Sequence, residues 1–107
     1  DPAATAARLQ AWGCSELVVK DGARETLLVA GGTVSRQLPP LCPSPVDTTG
    51  AGDAFNGGYL AARLRGQNQA QAVATAQRVA ARVVMERGAL APVDALRHAA
   101  GLSLTAR

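Results

Sequence analysis

The apolar positions along this chain fall into two patterns, short unbroken runs near the start and helical spacing before and after them. Leu9 and Trp12 stand three apart in an alanine-rich stretch that begins Asp1-Pro2 and stops at Gly13. This predicts a helix with an acidic N-cap, proline at its first position, and Leu9 and Trp12 turned inward. Leu17-Val18-Val19-Lys20 and Thr26-Leu27-Leu28-Val29-Ala30 read as paired strands with a turn around Asp21-Gly22. Residues 34 to 38 read as a third strand after Gly31-Gly32. Beyond a proline-rich lead-in, Pro39-Pro40-Leu41-Cys42-Pro43-Ser44-Pro45, the period changes to that of helices. Ala54, Phe55, Gly58 and Ala62 form one face, with Arg63 and Arg65 closing it before Gly66. Val73, Ala76, Ala80 and Val83 form another, with Gln77 and Val84 at its margin, in a helix that starts at Asn68 in a capping-box pattern and runs to about Arg87. Gly88 closes it, Ala91-Pro92 opens a last helix with Asp94 in its first turn, and Gly101 ends that one. Residues 102–107 are expected to fray.

Strands followed by helices in 107 residues make one α/β unit with a modest core. No apolar run is long enough for a membrane helix and no signal-peptide pattern is present, so the chain reads as cytoplasmic with no membrane partner. Aromatic residues make up only 3%, which leaves nucleic-acid binding by base stacking little to work with, and the net charge of +3 comes from scattered arginines. Cys14 and Cys42 lack metal-ligand spacing and read as reduced thiols. His98, the single histidine, has no neighbour at ligand spacing and reads as a surface residue.

The stretch that carries chemistry is Asp47-Thr48-Thr49-Gly50-Ala51-Gly52-Asp53-Ala54-Phe55-Asn56-Gly57-Gly58-Tyr59-Leu60. It reads as a glycine turn opening a helix, with an acid at the seam. Small residues there leave the first amides uncovered, and orphan N–H groups at a helix start attract anions, phosphate above all. An acid beside such a cradle is either a simple first-turn charge, worth about 0.3–1 kcal/mol, or a proton acceptor for phosphoryl transfer. Gly57 and Gly58 cost about 1 kcal/mol each against alanine inside a helix, a cost accepted where something approaches closely. A Walker A loop requires Gly-Lys-Ser/Thr, whereas Asp53 follows Gly52. A dinucleotide fingerprint requires a small residue where Phe55 stands.

That run resembles the C-terminal signature of the ribokinase-like (PfkB) carbohydrate kinases at every defined position. The resemblance implies the C-terminal part of a ribokinase-like three-layer α/β/α fold, incomplete as given, with residues 1–107 supplying the nucleotide-binding and catalytic-base segment. It implies an ATP-dependent kinase in which Asp53 contacts the sugar and deprotonates its hydroxyl while Gly50, Ala51 and Gly52 form the anion hole. Lys20, Asp21 and Gly22 correspond to a loop bordering the nucleotide, although Glu25 stands where the family has a second glycine. Gln77 stands 11 residues before Gly88-Ala89, where the family places an amide facing adenine or ribose.

The implied small molecules are ATP, a sugar and Mg2+, whose ligands, with the sugar-reading residues and the lid, would lie upstream of Asp1. A monovalent cation on the carbonyls of Asp47 and Thr49 stays open, as does a homo-oligomer of the intact enzyme. Within the family, residues 45–64 and Arg87-Gly88-Ala89-Leu90-Ala91-Pro92 look most like the 2-keto-3-deoxygluconate kinases, with fructose and ribose as open alternatives. A nucleotide-binding or interaction module without catalysis is the reading from another class.

Overall fold

The computed structural model describes residues 1–21, 24–40, 49–85 and 93–101. The chain divides into two units, residues 1–39 and 40–107, each of which has its own internal packing.

The first unit is a helix on an antiparallel sheet. Helix α1 (Pro2–Ala11) starts as the sequence predicts: Asp1 Oδ1 accepts from the Ala3 N–H at 3.1 Å, and Pro2 takes the first position, where no donor is needed. Its end is a Schellman closure, with Gly13 N–H donating to the Gln10 carbonyl (3.0 Å) and Cys14 N–H to that of Leu9 (3.1 Å). Strands β1 (Glu16–Val19), β2 (Thr26–Ala30) and β3 (Thr33–Gln37) follow in the order β1-β2-β3. Two of them lie one residue from the predicted bounds. Gly31 and Gly32, with φ of 56° and 82°, form the two-residue turn between β2 and β3, a primed geometry that suits the strand twist and sets Ala30 opposite Thr33. The β1–β2 connection is longer, and within it Arg24 N–H donates to the Asp21 carbonyl at 2.9 Å.

Ala6, Leu17, Leu27 and Val29 form the core of this unit, with Leu9 and Val19 packed against it. The middle strand is buried on both faces, because Thr26 and Leu28, which alternate with Leu27 and Val29, are buried too. Trp12 departs from expectation. It lies one residue past the helix and is 74% exposed, its N–H closing the last turn onto the Arg8 and Leu9 carbonyls. The inward stripe therefore ends at Leu9, and the indole falls outside the patch that Ala6 and Leu9 cover.

The second unit contains α2 (Ala51–Leu64), α3 (Gln69–Val83) and α4 (Val93–Ala99). Gly66 and Gln67 close α2 with a second Schellman pair, onto Arg63 (3.0 Å) and Ala62 (3.1 Å). The next helix starts at once. Asn68 Oδ1 accepts from Gln71 N–H at 2.9 Å while Gln71 Oε1 accepts from Asn68 N–H at 3.0 Å, the predicted reciprocal cap. So short a connection folds α3 back against α2, and the two pack along their lengths. The contact is close at Gly58: a Cβ there would lie 3.2 Å from Ala76 Cα and 3.5 Å from the Val79 side chain.

Helix α3 is buried over a wider face than its period suggests. Ala72, Thr75 and Val79 join Val73, Ala76 and Val83 inside, while Ala80 and Val84 are half-buried. It ends at Val83, short of the predicted run to about Arg87: Val84 caps it and Met85 N–H turns back to the Arg82 carbonyl at 3.3 Å, while the predicted stop at Gly88 lies outside the described residues. Helix α4 packs on α3, and Arg78 fastens it, Nε donating to the Ala99 carbonyl at 3.0 Å. That bond sets a cation against the C-terminal end of a helix, where its dipole is negative.

Candidate phosphoryl-transfer site

The site is built on the first turn of α2. Gly50 is its N-cap and holds φ 79°, ψ −1°, the left-handed conformation that side chains resist. Having no side chain, it cannot cap the turn with one, and the helix begins with no side-chain cap bond at all. Its carbonyl accepts from Ala54 N–H at 2.9 Å, which starts the helical ladder one residue after Asp53. Among the described residues no backbone carbonyl outside the helix accepts from the N–H groups of Ala51 or Asp53, whereas Gly52 and Thr49 are engaged within the protein. Asp53 is the acidic residue of this turn and is exposed, as is Gly52; Gly50 and Ala51 are half-buried.

Behind the turn, Phe55 and Ala62 anchor α2 in its unit, and Arg63 lies at the far end. A carboxylate at the positive end and a guanidinium at the negative end follow the helix dipole. The turn thus offers a helix start with no side-chain cap, a favourable dipole and an accessible carboxylate within one loop of backbone. Such a combination is chemically suited to a negative group with a proton acceptor beside it.

The other predicted residues fall elsewhere. Gln77 sits on α3, the helix that packs along α2, and is buried at 5% exposure. It is therefore not a boundary glutamine in water, and among the described residues no buried side-chain oxygen or nitrogen lacks a hydrogen-bond partner. Lys20 and Asp21 belong to the first unit, at the end of β1. Lys20 is exposed; the Asp21 carboxylate stands 4.0 Å from Arg24 Nη1. Gly22, Asp47 and Cys42 lie outside the described residues. Glu25, the departure from the family loop, has its carboxylate 3.6 Å from Arg36 Nη1 on β3, so a cation accompanies its charge. Cys14 is a free, exposed thiol and His98 is exposed, as the sequence suggests.

Two features escaped the sequence reading. The cost of Gly58 pointed to a close approach without revealing that α3 is what approaches. Thr75, an apparently ordinary helix residue, is a buried junction: its Oγ1 donates to Gln67 Oε1 at 2.8 Å and accepts from Arg78 Nη2 at 3.2 Å. Its place on the Val79 side of the stripe was the available clue.

The profile of the pfkB carbohydrate kinase family matches residues 1–96. The chain belongs to that family. The 2-dehydro-3-deoxygluconokinase of Dickeya dadantii is 37% identical over 87 residues, 78% of this chain and 28% of the relative. The ribokinase of Thermotoga maritima superposes with a TM-score of 0.79 at 28% identity, over 90% of this chain and 33% of that structure. A ribokinase II of Escherichia coli in complex with ATP and Mg2+ superposes with a TM-score of 0.74 at 29% identity, over 83% of this chain and 29% of that structure. The chain therefore spans about a third or less of the relatives it matches. The ribokinase-like α/β fold class expected from the signature is the fold that these neighbours share with the described elements.

Proposed function

We propose that this family member carries the phosphoryl-transfer end of an ATP-dependent sugar kinase, with 2-keto-3-deoxygluconate as the sugar. The observation that carries the proposal is an exposed Asp53 in the first turn of α2, three residues after a left-handed glycine that leaves the helix start without a side-chain cap. The name of the Dickeya dadantii relative supports the choice of sugar.

In this reading the Asp53 carboxylate takes the proton of the sugar hydroxyl. The hydroxyl oxygen forms its bond to the γ-phosphorus as the bond from that phosphorus to the bridging oxygen breaks, releasing ADP. The amides of Gly50, Ala51 and Gly52, with the α2 dipole behind them, hold the negative charge of the transferring group. General-base assistance contributes about 10²–10⁴-fold. The phosphate end of the nucleotide is placed by this reading at the turn that opens α2. Mg2+, when bound, neutralises phosphate charge. Among the described residues no cluster of three or more His, Cys, Asp or Glu is placed to hold it, so no residue is assigned to it. Lys20, Asp21, Gly22 and Gln77 are proposed on the nucleotide side.

The test is a coupled ADP-release assay on the full-length protein, comparing 2-keto-3-deoxygluconate with fructose and ribose. Asp53→Asn is expected to lower kcat at least about 100-fold with nucleotide affinity little changed. Near-normal turnover by that variant removes Asp53 from the mechanism, and preference for another sugar replaces the substrate. The 107-residue chain alone is expected to show no sugar-dependent ATP turnover. ADP titration into it probes the alternative, a binding module without catalysis.

A further inference from the structure

We propose that Gly58 is a positioning residue for Asp53: by letting the α3 backbone lie directly against α2, it sets where the carboxylate stands relative to its amides' target. The inference rests on the reading of Asp53 as the base and adds a residue that touches neither substrate nor phosphate.

The two adjacent glycines of α2 behave differently. A Cβ at Gly57 meets nothing within 4 Å, whereas one at Gly58 lies 3.2 Å from Ala76 Cα. The obstacle at Gly58 is backbone. No rotamer change on α3 relieves it, whereas the Val79 side chain, at 3.5 Å, would be in ordinary contact. Accommodating even one methyl group therefore means moving one helix from the other by a few tenths of an ångström.

The direction of that movement matters. Five residues at 3.6 per turn put Asp53 about 140° around α2 from Gly58 and about 7.5 Å along its axis. A push on the α3-facing side thus drives the opposite, exposed side outward, and Asp53 is on it. Asp53 and Gly58 stand in one continuous helix, so a displacement at one is carried along the hydrogen-bonded backbone to the other. Since a misplacement of about 1 Å costs about 10²-fold in rate, a few tenths of an ångström is expected to cost roughly 3- to 10-fold.

The test uses the full-length protein. Gly58→Ala is expected to lower kcat roughly 3- to 10-fold with KM for ATP and sugar within about twofold, because the carboxylate acts in the transition state. In the Asp53→Asn background the same substitution is expected to remove nothing further from the residual turnover, since the group it displaces is gone. A merely structural role lowers both backgrounds by the same factor, and that result, or unchanged kcat in a folded Gly58→Ala, overturns the proposal. Should Gly58→Ala not be recovered folded, Val79→Ile adds a methyl to the α3 side chain that faces Gly58. It is expected to reproduce the loss of kcat, and wild-type kcat there overturns the proposal equally. Full turnover by Asp53→Asn would sink the base assignment and this inference with it, whereas an inactive Asp53→Asn beside a fully active Gly58→Ala sinks this inference alone.

Discussion

Replacing Thr75 with valine keeps the side chain's shape and removes its hydroxyl, isolating what the polar junction contributes. Thr75 is 4% exposed, and its hydroxyl makes two bonds, one to Gln67 Oε1 and one from Arg78 Nη2. A typical intramolecular hydrogen bond contributes about 0.5–1.5 kcal/mol net, and stranding a buried partner adds about 1–3 kcal/mol. The second cost is small here: Gln67 is half-buried and Arg78 exposed, so both regain water, and Arg78 keeps its bond to Ala99. The expected loss is therefore about 1–2 kcal/mol. Thr75→Ala deletes a buried methyl as well, worth about another 0.8 kcal/mol. In equilibrium urea unfolding of the full-length protein, with a slope of about 2 kcal/mol/M, Thr75→Val is expected to lower the midpoint by about 0.5–1 M at constant slope. A valine variant as stable as wild type, with only alanine destabilised, would mean that packing alone holds this corner and that the Gln67–Thr75–Arg78 bonds contribute nothing.

The same unfolding measurement checks two further expectations. Asn68→Ala removes the Oδ1 half of the reciprocal cap that starts α3, leaving Gln71 Oε1 its backbone N–H partner, and is expected to cost about 1 kcal/mol; a change lost in the scatter would show that water replaces the lost bond without cost. Leu27→Ala opens a cavity in the core beneath α1, where Leu27 is 2% exposed, and is expected to cost about 2–5 kcal/mol; a cost below 1 kcal/mol would mean that the site collapses around the smaller side chain.

Much of the molecule was legible because the relevant signals are short. Asp1-Pro2 and the Asn68-Gln71 pair state where helices start, and Gly13 and Gly66 where they stop, since each motif satisfies end groups a few bonds away. Gly31-Gly32 states the hairpin. The run from Gly50 to Asp53 states a glycine turn opening a helix with an acid at the seam, and with it the family.

Residues whose meaning depends on what arrives from a distance were not legible. Trp12 carries the inward period yet stands exposed, because the patch under α1 ends at Leu9. Gln77 and Thr75 are polar yet buried, since α3 is covered on more sides than a single apolar stripe can announce. Glu25, alarming beside a nucleotide loop, has Arg36 from the neighbouring strand alongside it. Gly57 and Gly58 are identical in sequence, and only the packing of α3 against α2 distinguishes them. Local backbone chemistry is written in consecutive residues, so the sequence by itself determined where α1 and α3 start, where glycines stop α1 and α2, and that a glycine turn opens α2. Which side chains leave water, and which glycine must remain one, is settled by surfaces that meet after the chain has folded, so tertiary structure alone decided them.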